Sequence, residues 1–488
     1  MGKQIIVVGA GLAGLTAAIY AQRSGFDVTL IEQHSIPGGM STSWKRKGYL
    51  FEGGIHWMTG SSPKTEAYQM WKETGALGEN VNVLLHDPFR SVEWEGQTLH
   101  IYRDIDKTAE HLLAVSPADE KPLRQMVKDV KAASKMQMPV FDVKGLKAAH
   151  PHKMGLGFML KMLPAMPVMG RMGKITISEY TSRFHHPGIR SLLDCTGEGP
   201  ATNLIFTLAT LQTGDGGYPE GGSLPMTQRI AKTFTDLGGK LLLGAKVQKV
   251  NVEGGKATGV TLADGTALPA DAVIVAQETV AALDKLFDKP PQDAWLKEVY
   301  ALKSKSSVCT FVSIGVRAEL PDGALPEWKL ETPVTYADRS MSSLGFNSYR
   351  QYAPEGGTAL TTFLGGDTYD FWKKAKDEGR YEQEKQAVAD QITRALCAKY
   401  PQCEGKIEVI DVATPLTYER YTGAYHGAWM SEMQPGDKMK TYPGTCEDIS
   451  GLYFAGHRLM PPGGMPSAAA SGRQAAQLVC RQFDVVFR

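Results

Sequence analysis

Gly9, Gly11 and Gly14 stand at G-x-G-x-x-G spacing, and an acid, Glu32, follows about 20 residues on, the distance at which a carboxylate meets a ribose hydroxyl. In such a turn the first glycine permits the tight bend, the second lets backbone approach a pyrophosphate, and the third lets helix and strand pack closely. Ala10, Leu12 and Ala13 complete this turn, and Gln33 follows the acid. Three more glycine pairs repeat the theme: Gly38-Gly39 before Met40 and Ser41, Gly53-Gly54 before Ile55 and His56, and Gly463-Gly464 before Met465. Adjacent glycines reach backbone conformations closed to other residues, so that N–H groups face an anion. The chemistry implied is the gripping of a phosphate-bearing cofactor by backbone, with His56 as the residue beside it able to hold or move a proton.

These residues need elements to position them. Ile5 to Val8 is a continuous apolar run, the pattern of a strand buried on both faces. Leu15, Ala18 and Ile19 then share one helical face, and Val28 to Ile31 forms a second strand ending at Glu32. Strand, glycine turn, helix and acid together specify a dinucleotide site. A nicotinamide enzyme has no use for the second loop, P-G-G-M-S-T-S, whereas FAD is long and passes this point extended. Near the C-terminus, G-L-Y-F-A-G-H-R-L-M-P-P-G-G-M-P-S-A-A-A-S-G runs strand, Gly456, loop, glycine pair and slim helix. That helix N-terminus, aimed at the flavin pyrimidine edge, would stabilise the charge that a reduced flavin carries. His457 stands where many flavoproteins place an acid for the ribityl hydroxyls.

Composition narrows the class. The chain of 488 residues is longer than one core usually serves, so two domains are expected. A net charge of +1 gives no electrostatic reason to bind nucleic acid. The six cysteines, Cys195, Cys309, Cys397, Cys403, Cys446 and Cys480, form neither metal spacing nor a disulfide framework. No run long enough to span a membrane occurs, the first strand begins too early for a signal peptide, and Met1-Gly2 is not a myristoylation signal; a cytoplasmic protein is expected. The segment from Met136 to Met172 departs from the average. It holds eight methionines (Met136, Met138, Met154, Met159, Met162, Met166, Met169, Met172) interspersed with Lys153, Lys161, Arg171 and Lys174. Two readings stand for it: a methionine-filled core, or an interfacial surface resting on an anionic membrane.

Further elements follow from local pattern. A hairpin is expected over Ser91 to Tyr102, helices over Ile105 to Leu113 and Pro117 to Ala133 with Ser116 as cap, and helices over Ile177 to Phe184 and Ile189 to Cys195. A helix ends at Leu237 before Gly238-Gly239, and A-D-G-T marks a second hairpin. Strands are expected at Val308 to Val316 and Ala359 to Phe363, and a charged helix over Gln383 to Leu396. G-D-G-G at Gly214 to Gly217 has the wrong spacing for another dinucleotide turn, so a dedicated NADPH domain is not expected, and electrons reach the flavin from substrate, acceptor or an outside reductant.

The combination of G-A-G-L-A-G-L, P-G-G-M-S-T and K-G-Y-L-F-E-G-G-I-H resembles the phytoene desaturase, carotenoid isomerase and retinol saturase group of FAD proteins, and the likeness extends over most of the chain. The resemblance implies an α/β Rossmann-like FAD-binding domain with an interleaved α+β substrate domain. The segments are 1–64, 214–285 and 441–488 for the former, 65–213 and 286–440 for the latter. It places the backbone of Val247 at the adenine, Y-P-E-G-G near the active cavity, and T-P-L-T-Y-E-R-Y-T-G close to the flavin. Tyr421, Tyr425, His426 and Trp429 then either line an apolar cavity or pack a domain seam. The implied reaction is hydride exchange between flavin N5 and a carbon of an apolar molecule with carbon–carbon double bonds: desaturation, saturation or isomerisation. His56, Glu220 and Tyr425 are the candidate proton donors or acceptors. A flavin amine oxidase, a protoporphyrinogen oxidase-like enzyme and a non-catalytic lipid carrier on the same scaffold are the alternatives; the intact glycine motifs rank the carrier last.

Overall fold

The computed structural model describes residues 2–136, 140–152, 156–194 and 199–488. Met138, Lys153, Met154 and Cys195 lie outside the described residues.

Five parallel strands form one sheet in the order Leu452–Phe454, Ala272–Val275, Gln4–Val8, Asp27–Ile31, Lys240–Leu242. Three distant stretches of chain therefore build a single sheet. The unbroken Ile5–Val8 run has a simple cause. Ile5 and Val7 face one apolar cluster with Leu15, Ala18 and Ile19, while Ile6 and Val8 face another with Val250 and Val260. Both faces are covered, so neither alternate set is polar.

The first face is covered by the helices Leu12–Arg23 and Met465–Gln482, which touch at Gly472. A Cβ there would lie 2.1 Å from the Ala13 carbonyl oxygen, so only glycine allows this approach. The second face carries an antiparallel layer of Val247–Glu253, Lys256–Leu262 and Ala267–Pro269.

The remainder holds an antiparallel sheet ordered Gly323–Ala324, Asn347–Tyr349, Thr358–Gly365, Cys309–Val316, Ile407–Ala413. Beside it lies a helical layer. The helices Ile105–Val115, Glu120–Ala133 and Thr202–Gln212 bury Leu112, Met126, Val130 and Leu208 in one cluster.

Three local expectations need adjustment, and one hairpin is additional to them. Ser116 stands at the N-cap position as expected, but its hydroxyl donates to the Asp119 carboxylate (2.8 Å) and makes no capping bond, and a 3₁₀ turn, Pro117–Asp119, precedes the α-helix. The expected 177–184 helix is only Ile177–Thr181, started by a capping box between Thr176 and Glu179. The next helix spans Pro187–Leu193, so it starts two residues earlier and stops two residues short of Cys195. A hairpin of Trp328–Tyr336 and Arg339–Leu344 escapes sequence reading because its turn has no glycine. Ala337 and Asp338 hold φ of 45° and 62° instead.

The methionine-rich segment divides between its two readings. Met172 and Val168 are buried in the helical core, whereas Leu156, Met159, Leu160, Leu163 and Met166 are exposed, at 74% for Leu156. No helix among the described residues is long and apolar enough to cross a membrane. The five described cysteines are free.

Candidate active site

The glycine turns converge on one cleft. Gly11 and Gly38 form a parallel bridge, the Gly38 N–H donates to the Ala10 carbonyl (2.9 Å), and a Cβ on Gly39 would lie 3.4 Å from the Gly11 Cα. Gly54 follows: its Cβ would sit 3.1 Å from the Met40 oxygen and 3.2 Å from the Ser41 Cα. The Ser41 hydroxyl in turn reaches the Met465 sulfur at 3.8 Å, which joins the C-terminal helix to the group.

Each turn is shaped by what its glycine excludes. A Cβ on Gly14 would lie 1.8 Å from the Gly9 carbonyl oxygen, an impossible distance, so strand and helix meet here only through glycine. Gly11 and Gly456 are different, since a Cβ on either would meet no atom within 4 Å. Their backbones border open space. The helices starting at Leu12 and Met465 have no side-chain cap, so their first N–H groups and positive dipole ends face whatever enters. His457 adds an orphaned polar atom, a buried Nε2 without a hydrogen-bond partner. An extended, anionic, polar-edged ligand meets these requirements, and FAD is such a molecule.

Glu32 is buried at the end of its strand. Its carboxylate accepts from the Ala10 N–H (2.8 Å) and the His34 N–H (2.9 Å), and burial raises its pKa. The acid thereby fixes the glycine turn from behind. The Ala245 N–H donates to the Glu32 carbonyl (2.9 Å), which brings the start of the Val247 strand alongside. Gln33 is exposed, with its amide 3.4 Å from where a Gly423 Cβ would be.

Behind the Gly53-Gly54 turn lies Glu52, a fully buried carboxylate that sequence reading did not single out. It accepts from the N–H groups of Gly54 (2.8 Å), Ile55 (3.0 Å) and Ser223 (2.7 Å), and from the Ser223 hydroxyl. Burial raises its pKa despite these donors. One carboxylate thus locks the turn before His56 onto the N-terminus of the Ser223–Asp236 helix. An acid directly before a glycine pair was the available signal.

His56 Nδ1 lies 2.7 Å from the Tyr349 hydroxyl, between the rings of Phe311 and Tyr349. Burial lowers the imidazole pKa to about 4 and raises that of Tyr349 well above its ordinary value, so both are neutral near pH 7. This is the only hydrogen bond of the Tyr349 hydroxyl among the described residues. A buried O–H without an acceptor is costly. We therefore assign Tyr349 as donor to Nδ1, which puts the histidine proton on Nε2. His56 also lines a small cavity of about 70 Å³ with Trp57, Phe89, Arg103 and Asn347.

The other two proton-transfer candidates are not beside it. Glu220 is exposed at the end of a short strand, its N–H donating to the Asn82 carbonyl (2.8 Å). Tyr425 stacks on His426 at 3.9 Å, which stacks on Tyr369 at 3.8 Å, and its N–H donates to Glu278 (3.1 Å). Among the described residues neither makes a hydrogen bond or ring contact with His56. Tyr421, itself exposed, packs edge-on against His34 beside the Glu32 turn.

The A-G-H-R motif hides a buried ion pair. Arg458 (1% exposed) meets Glu278, and its guanidinium also donates to the Ser306 hydroxyl (2.8 Å) and the Leu302 carbonyl (3.2 Å). Burial pushes the Glu278 pKa up, but Arg458 and the N–H groups of Ala281 and Tyr425 hold it below its usual value. His457, beside this guanidinium, has its pKa lowered to about 4, mainly by burial.

Two neutral, partly buried histidines make stability depend on pH. Unfolded, each imidazole protonates near its ordinary 6.5; folded, only near 4. Between these values the unfolded chain binds more protons, so stability falls as pH falls. We expect a loss of about 1.5 kcal/mol per histidine between pH 6.5 and 5. Urea titrations should show it, flattened in His56→Gln/His457→Gln; an unchanged slope would remove these residues as its source.

Cleft and sheet together define a two-domain FAD flavoprotein. The profile of the family described as flavin containing amine oxidoreductase matches residues 12–480, and the chain belongs to that family. The chain is 25% identical to the lycopene-forming phytoene desaturase of a Paracoccus species, over 98% of this chain and 97% of that one. It is also 25% identical to the chloroplastic prolycopene isomerase of Daucus carota, over 97% of this chain and 79% of the relative. Among solved structures, a putrescine oxidase mutant superimposes with a TM-score of 0.60 at 15% identity, covering 98% and 99% of the two chains. An oxidoreductase from Methanosarcina mazei gives 0.56 at 17% identity, covering 96% and 98%. These structures share the fold. The protein is a flavin-dependent oxidoreductase, as its family and glycine motifs require.

Proposed function

We propose that this enzyme acts on carbon–carbon bonds of an apolar lipid such as a carotenoid, retinoid or other isoprenoid. The observation that carries the reading is similarity along the chain to desaturases and isomerases of such polyenes, combined with an aromatic setting around His56. Bound FAD supplies two-electron redox chemistry at carbon. Backbone at Gly9, Gly11, Gly14, Gly38, Gly39, Gly456 and Gly464 holds it, Glu52 fixes the Gly54–Ile55 turn, and the Met465 helix end faces it. His56 is the group of this site able to donate or accept a proton, and Tyr349 is the positioning residue that fixes its tautomer.

The deciding experiment reduces the bound flavin without oxygen, adds polyenes or amines, and identifies by mass spectrometry what reoxidises it. Reoxidation by polyenes supports the reading; reoxidation by amines alone sinks it. In the same assay His56→Ala keeps its flavin and loses turnover about 100-fold or more, the usual weight of a positioned acid–base group. Tyr349→Phe lowers kcat with KM unchanged and alters the pH profile, because Nδ1 loses its fixed donor. Unchanged kcat in His56→Ala would take that residue out of the mechanism.

We further propose that the exposed Leu156, Met159, Leu160, Leu163 and Met166, with Lys161 and Lys174 beside them, rest on an anionic membrane from which the lipid is drawn. Co-sedimentation with vesicles containing phosphatidylserine should fall at least fivefold in Leu156→Asp/Leu160→Asp. Equal sedimentation of the variant would refute the contact.

A further inference from the structure

The small cavity beside His56 has a polarity that a pure hydrocarbon does not use. Arg103 is the one fully charged residue in its wall; His86 and Asn347 add an imidazole and an amide, and among the described residues no carboxylate lines it. At about 70 Å³ it offers about the volume of two waters, the size of a carboxylate rather than of a ring or a chain segment.

Strand register explains why polar groups gather there. On the sheet face turned to His56, Phe311 stands opposite Phe363; two residues along, Ser313, Thr361 and Asn347 stand opposite one another across three strands. The imidazole stacks on Phe311 in the first row and on Tyr349 beyond the second, so it lies over the polar row between them.

Arg103 is fixed from behind. Its backbone N–H donates to the Asp87 carboxylate (2.9 Å), Nη2 donates to the Asp215 carbonyl, and Nη1 lies 3.5 Å from the Gly216 carbonyl oxygen. A guanidinium has five N–H groups, so these two side-chain ties leave three, and they leave the charge. Burial lowers its pKa, opposed by Asp87 and Asp215, and arginine stays protonated at neutral pH. The nearby acids are bonded elsewhere. Asp215 accepts from Gly60 N–H (2.8 Å), the Ser61 hydroxyl (2.7 Å) and Ser62 N–H (3.1 Å). Asp87 lies 3.9 Å from the Lys107 ammonium, and Asp322, whose charge reaches His86, accepts from Arg350 N–H (2.6 Å).

An ammonium group would meet a cation here and no acid. An alcohol would leave the charge unused. A carboxylate has the sign, the planar shape and the acceptor-only chemistry that this wall matches, and its bonds to a guanidinium are about twice as strong as neutral ones.

We propose that this cavity takes a carboxylate at the end of the substrate's apolar chain, held by Arg103 with Asn347 and His86, so that the carbons acted on are those near that end. This rests on the lipid reading above, and names the end-group which that reading leaves open.

The test is equilibrium binding of tritiated geranylgeranoic acid, geranylgeraniol and geranylgeranylamine to the FAD-loaded enzyme at neutral pH. The acid should bind at least tenfold tighter than the alcohol or the amine. Arg103→Gln, which keeps an amide for the carbonyl ties and removes the charge, should cut that preference to threefold or less. Asn347→Leu should weaken the acid at least threefold relative to the alcohol. Flavin content and circular dichroism show which variants are folded, and Asn347 takes no part in the Arg103 ties, so one arm survives if Arg103→Gln misfolds. Alcohol or amine bound as tightly as the acid, or an undiminished preference for the acid in either folded variant, would overturn the proposal. Failure of the wider reading looks different: the acid binds as stated, but no polyene reoxidises the flavin.

Discussion

Gly11→Val yields a folded, colourless protein, with flavin content below a tenth of the parent. At Gly11 the backbone is extended (φ −70°, ψ 177°), which valine adopts readily, and an added Cβ meets no protein atom within 4 Å. The chain therefore loses nothing by itself. What the side chain occupies is the space through which a pyrophosphate approaches the helix N-terminus. Gly14→Val fails for another reason. Its Cβ would lie 1.8 Å from the Gly9 carbonyl oxygen and 3.0 Å from the Gly9 carbonyl carbon, both backbone atoms that cannot step aside. That variant should lose flavin and cooperative unfolding together. Absorbance after reconstitution with FAD, read beside circular dichroism, separates the two. A yellow Gly11→Val protein would mean that the cofactor does not lie on this turn.

Arg458→Met should cost about 3–5 kcal/mol of stability, the range seen when one partner of a buried pair is removed. Glu278 is then left with its N–H donors but without a cation, in a site 5% exposed. The double variant Glu278→Gln/Arg458→Met should recover part of the loss, because no unpaired charge remains buried. Urea unfolding measures both. With Arg458 present, the lowered Glu278 pKa contributes stability above its unfolded value near 4.5, lost as pH falls through the folded value. A single variant as stable as the parent would show that the pair is not a structural tie between the C-terminal loop and the Thr279–Lys285 helix.

The amino-acid order alone determined the cofactor turns. A glycine spacing, a buried strand and an acid are local features, and each has a steric reason confined to about 30 neighbouring residues. The same holds for the hairpin Arg90–Trp94 with Gln97–Ile101, whose turn carries Gly96 at φ 79°. The membership of one sheet was less local. Ala272–Val275 and Leu452–Phe454 read as buried strands in sequence, but only their parallel pairing in the fold shows that they flank Gln4–Val8.

Tertiary structure alone decided what surrounds the reacting centre. Tyr349 lies 293 residues from His56, and nothing in either neighbourhood announces their hydrogen bond. Glu52 with Ser223, and Glu278 with Arg458, are likewise joined across long stretches of chain. Whether a carboxylate is a surface group or a buried clamp depends on which donors the fold delivers to it. Tyr425 is a similar case: its aromatic neighbourhood left a cavity wall and a packed seam both open, and only the fold shows it in a stack with His426 and Tyr369. Backbone anion sites are written in short range because glycine acts on its own φ and ψ; proton-transfer sites are not, because burial and partners set a side chain's ionisation, and both come from elsewhere in the chain.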